Sequence, residues 1–118
     1  MNLRIRMDTR LAGLRRGARL AGTVSTGEGG DARSVDAWLE FSESVPGFEH
    51  VAARTDPVRL HTGPLPPGHA LRFALRLPAD ALPSLETEWG ALRWTLVVRV
   101  DRPRRRDVRE QVDLEVLA

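Results

Sequence analysis

Between Val98 and Val112 the chain reads VRVDRPRRRDVREQV, with Arg102, Arg104, Arg105 and Arg106 crowded around Pro103. Guanidinium groups at that density can hold a phosphate or carboxylate through paired N–H donors, so these residues form a candidate anion site. A plainer reading competes with it. Val98 and Val100 share one parity, Val112 resumes it, and Pro103 has no N–H to give to a β-ladder, so Arg104 to Arg106 belong at a solvated hairpin tip. Arg4 and Arg6, alternating with Leu3, Ile5 and Met7, are candidate partner contacts. Trp38 is a third, because its parity sets it opposite Val35, Leu39 and Phe41. It lies either in a second buried layer or at an exposed contact.

Other chemistry-bearing residues form no recognisable machinery. His50, His61 and His69 lack a metal-ligand spacing, and no nucleophile elbow, phosphate loop or dinucleotide fingerprint occurs. GEGGD, Gly27 to Asp31, reads as a hairpin turn. Asp80, Glu86 and Glu88 flank a crossover as surface acids, and Trp89 and Trp94 read as core or edge packing. The expectation is a protein that is not an enzyme, with no catalytic residue, no metal and no cofactor. Aromatic residues make up only 5% of the chain, too few for a stacking platform, so nucleic acid is a disfavoured partner.

Composition narrows the class. The 118 residues fit one domain, 1–118, with one core. Apolar content of 42% against 29% charged residues is that of a globular chain. There is no cysteine, hence no disulfide framework and no thiolate chemistry. No apolar run approaches the ~20 residues of a membrane span, and MNLRIRMDTR lacks the core of a secretory signal, so the cytoplasm is the expected compartment. All 18 basic residues are arginine, the usage of a high-GC bacterial genome, and the net charge is only +2. Any one arginine therefore carries little meaning by its type alone.

The elements that must position these residues follow a period of two. Leu3, Ile5 and Met7; Leu20, Gly22 and Val24; Val35, Ala37, Leu39 and Phe41; Leu71, Phe73, Leu75 and Leu77; Trp94, Leu96, Val98 and Val100; and Val112, Leu114 and Val116 each alternate with residues that, Trp38 and Val97 apart, are polar or small. Shorter strands are expected near Phe48 to Ala53 and Val58 to Thr62, and Arg10 to Gly17 reads as a loop or one helical turn. Gly, Pro and Asp punctuate the intervals at the spacing of a β-sandwich. Half-buried strands of this kind need a second sheet to cover them, so the expected fold is all-β, an antiparallel two-sheet, immunoglobulin-like sandwich of about seven strands.

LPPGHALRFALRLPADALPSLETEWGALRWTLVVRVDRP, Leu65 to Pro103, resembles the second half of the N-terminal lobe of arrestin-domain proteins. In that family a Leu-Pro-x-Gly turn leads into a Phe-x-Phe/Leu-x-Leu-Pro strand. A Leu-Pro-Ser crossover then reaches a Gly, an Ile/Leu-Arg-Tyr/Trp strand and an Asp-Arg-Pro turn. RRGARLAGTV, Arg15 to Val24, is similar to the start of the family's second strand. Bacterial sporulation-control proteins and the arrestin-fold subunit of retromer show the same kind of likeness.

The resemblance implies a single arrestin-like lobe acting as a scaffold: a non-enzymatic module that uses sheet edges and loops to hold a protein partner or a second copy of itself. The alternative is an anion or nucleic-acid binder working through Arg102 to Arg106. The chain departs from the family in having room for one lobe, in Thr87 where many members have Gly, and in lacking the tyrosine of a ligase-recruiting Pro-Pro-x-Tyr motif.

Overall fold

The computed structural model describes all of Met1–Ala118 and contains nine strands and no helix, where about seven strands were expected. They are β1 (Arg4–Met7), β2 (Arg19–Ser25), β3 (Ser34–Val45), β4 (Phe48–Arg54), β5 (Val58–Thr62), β6 (Ala70–Arg76), β7 (Leu85–Thr87), β8 (Gly90–Asp101) and β9 (Val108–Leu114). β7 escapes sequence reading because three residues are too few to show a period. The Arg10 to Gly17 segment is an irregular loop rather than a helical turn, tied down where Leu14 bridges Val116.

Two antiparallel sheets form the sandwich. The smaller has the order β1-β2-β6. The larger is built on two central strands of 12 residues each, β3 and β8. Along the free side of β3, β5 pairs with Ser34 to Ala37 and β4 with Glu40 to Val45. Along the free side of β8, β7 and β9 divide the length in the same way.

Parity decides the core. Leu20, Val24, Leu71, Phe73 and Leu75 from the small sheet meet Val35, Ala37, Leu39, Phe41, Trp94, Leu96, Val98, Val100 and Leu114 from the large one, all buried. Each such aliphatic or aromatic side chain contributes roughly 1.5–3 kcal/mol by leaving water. The Phe41 and Trp94 rings lie 5.1 Å apart, and the Trp94 indole N–H donates to the Leu82 carbonyl at 2.7 Å, so the large ring is buried without an orphaned donor.

Two glycines are required by close approach. A Cβ on Gly22 would run into the Arg6 carbonyl and sit 2.7 Å from Cζ of Phe73, so the Phe73 ring occupies the space that a side chain at 22 would claim. Gly22→Ala is expected to cost about 1–3 kcal/mol through this overlap. A thermal melt checks it, and an unchanged midpoint would mean that β1 and β6 do not flank β2 so closely. Gly29, at φ +74°, abuts the Leu65 carbonyl and Pro66, while Gly30 and Leu65 exchange backbone hydrogen bonds of 2.9 Å in both directions. GEGGD is thus a clamp between two loops rather than a free hairpin turn.

Candidate binding surfaces

The arginine-rich segment is the β8–β9 turn. Arg104 takes a positive φ of 59° at its tip, Arg104 to Arg106 are exposed, and Arg102 is half-buried. Arg102 and Arg105 line a depression together with Glu28 and Asp31 of the β2–β3 loop. An anion entering there would meet two carboxylates as well as two guanidinium groups, which weakens its attraction. At the base of the turn Arg33 donates to Asp101 at 3.2 Å.

Trp38 is not an exposed contact. It is only 2% exposed although it points away from the core, because the outer face of the large sheet carries its own cover. The guanidinium carbons of Arg54, Arg99 and Arg109 stand 5.8, 5.2 and 5.8 Å from its ring centre. Carboxylates beneath hold two of these cations, Arg99 and Arg109, in place. Glu40 accepts from the Trp38 indole N–H at 2.9 Å and from Arg109 at 2.9 Å, while Asp36 accepts from Arg59 at 2.7 Å and lies 3.7 Å from Arg99. Asp36 and Glu40 are themselves buried. The register explains the convergence: Asp36 stands between Arg59 and Arg99, and Glu40 between Arg54 and Thr95. The guanidinium groups themselves lie over the indole with one side toward solvent, so the cluster is a built outer layer of the sheet.

The large sheet also has an end that nothing covers. β4 packs on β3 and on no other strand, and all seven of its residues are exposed. The strands of the small sheet are 4 to 7 residues long and cannot roof the full length of the 12-residue β3 and β8. Val45 and Phe48 face each other at the β3–β4 turn on the core side of the sheet, yet Phe48 is 63% exposed. At the same end Trp89, at the β7–β8 turn, is 76% exposed. Trp89 is therefore neither core nor edge packing. The signal that could have revealed this end is VPGF, Val45 to Phe48, which sets apolar residues on both sides of a tight turn.

The remaining chemistry-bearing residues lie apart. His61 and His69 rings stand edge to face at 5.4 Å, His50 lies beside Phe48, and Glu86 accepts from Arg93 at 2.9 Å. Arg4 and Arg6 are exposed on the outer face of the small sheet, far from Trp38 in the topology. No helix is long and apolar enough to cross a membrane.

No protein-family model matches the chain, and no curated protein matches it. Among solved structures it is similar to the crystal structure of Spo0M, a sporulation control protein from Bacillus subtilis, with a TM-score of 0.72 and 22% sequence identity. The match covers 98% of this chain and 49% of that one, so the chain spans about half the length of the structure it resembles. At that identity the likeness is one of fold, and the fold is the arrestin-like sandwich.

Proposed function

We propose that this arrestin-like domain is a non-enzymatic binding module that holds a protein partner, or a second copy of itself, at the uncovered end of its large sheet. The observation that carries the reading is β4: an edge strand fully exposed along its length, held by β3 alone, beside the exposed rings of Phe48 and Trp89. An unpaired strand edge offers a row of backbone donors and acceptors to an added strand, and neighbouring aromatic side chains supply the anchors. Placement of the polar groups supports binding over catalysis. The buried carboxylates Asp36 and Glu40 are engaged by arginines as members of a packed layer. The all-arginine residue usage supports a bacterial source.

The test is Phe48→Ser/Trp89→Ser. Both side chains face solvent, so melting is expected to shift by no more than a degree or two, whereas truncating central anchors of an interface typically costs 2 kcal/mol or more in binding, roughly thirtyfold. Affinity capture from the source organism with wild type and variant, together with sedimentation of each, measures the loss. Retention of the same proteins and the same sedimentation by the variant would overturn the assignment of this end.

A further inference from the structure

The close ion pairs of the domain all lie on the large sheet and its flanking loops: Arg59 and Arg99 on Asp36, Arg109 on Glu40, Arg93 on Glu86, Arg99 near Asp107 and Arg33 on Asp101. The small sheet has none. Its outer face nevertheless carries Arg4 and Arg6 from β1, Arg19 from β2, and Arg72 and Arg76 from β6, all exposed. Register sets Arg6, Thr23 and Arg72 in one row and puts Arg19 directly opposite Arg76. Like charges facing across strands repel, and none of these five arginines has an ion-pair partner. Asp8, just past β1, lines a shallow depression with Arg19 and Arg72.

We infer that this face is a docking surface for an anionic lipid bilayer. Between the arginines the floor is made of Ala21, Thr23, Ser25, Ala70 and Ala74, so the guanidinium groups are the highest points of the face. They spread in two dimensions, about 10 Å across the strands and about 13 Å or more along them, and a plane of headgroup phosphates can meet them together. A nucleic-acid duplex is a cylinder and meets such a face along a line. The face also lacks aromatic rings to stack unpaired bases and Asn or Gln side chains to read base edges. Without a large apolar side chain to insert, the contact is peripheral and electrostatic. It shares no residue with the β4 end, so the domain can rest on a bilayer while that end remains free.

The experiment is co-sedimentation with vesicles of phosphatidylcholine containing one-third phosphatidylglycerol, against vesicles of phosphatidylcholine alone. Wild type should bind the anionic vesicles only, and raising the salt until the Debye length falls to about 3 Å should release it. Arg6→Ser/Arg72→Ser, which removes charge from the central row and leaves Arg76 on its 2.9 Å bond to the Gly17 carbonyl, should weaken binding roughly thirtyfold, about fivefold for each arginine near an anionic surface. Arg104→Ser/Arg105→Ser removes the same charge from the β8–β9 turn and should bind as wild type does. Failure of wild type to bind anionic vesicles would overturn the inference. So would an equal loss in both double variants, which would mean that bulk charge rather than this face is responsible. Duplex DNA that binds more tightly than the vesicles and displaces the protein from them would reassign the face to nucleic acid.

Discussion

Trp38→Ala should lower the stability of the domain by about 3–5 kcal/mol, the range for removing a buried aromatic ring, although Trp38 lies on the face of the large sheet that points away from the core. Its ring is covered by the guanidinium groups of Arg54, Arg99 and Arg109, and its N–H is held by Glu40, which also anchors Arg109. Removing the indole takes away an apolar surface and the cation–π contacts at once. Each such contact contributes about 0.5–1 kcal/mol where the cation is partly solvated. For a chain of this size the melting midpoint should fall by roughly 10–20 °C. Trp38→Phe keeps an aromatic face but loses the donor to Glu40, and it should fall only part of that way. A Trp38→Ala midpoint within a few degrees of wild type would show that the arginines lie over solvent instead of over a packed ring.

Phe73→Ala tests the opposite side of the same architecture and is expected to cost a similar 3–5 kcal/mol. Phe73 sits mid-strand in β6, buried, with its ring against the position where Gly22 lacks a side chain. No neighbour on β2 can fill the space, because the residue opposite Phe73 is that glycine. The cavity therefore persists, and its lining loses contacts outright. Since a small domain holds only about 5–15 kcal/mol in total, urea unfolding should show a markedly lower midpoint at an unchanged slope. A midpoint equal to wild type would mean that β6 presents its other face to the core.

Much of this fold was legible in the chain because side-chain direction along a strand alternates with period two, whatever lies elsewhere. Leu20 and Val24, Val35 to Phe41, Leu71 to Leu75 and Trp94 to Val100 declared their buried faces by spacing alone, and all are buried. The β8–β9 turn was legible for an equally local reason, since Pro103 cannot continue a ladder. Placing Trp38 and Trp89 was a different matter. Parity put Trp38 off the core side but could not say whether anything covered that side. Its cover comes from Arg54, Arg99 and Arg109, which stand in three other strands and meet over the ring only through the register of β4, β8 and β9 with one another and with β3.

The same holds for the surfaces on which function is proposed. That Arg4, Arg6, Arg19, Arg72 and Arg76 share one face depends on β1, β2 and β6 forming a sheet by themselves, which no local pattern states. That Phe48 and Trp89 stay exposed depends on strands of 4 to 7 residues facing a pair of 12-residue strands, leaving an end with no roof. Alternation is a property of neighbouring residues along one strand, so the inward side chains and the bends can be read from the chain alone. Cover and charge pairing are properties of segments brought together from far along the chain. Which arginines meet buried acids, as Arg59, Arg99 and Arg109 do, and which face solvent together follows only from how the strands assemble.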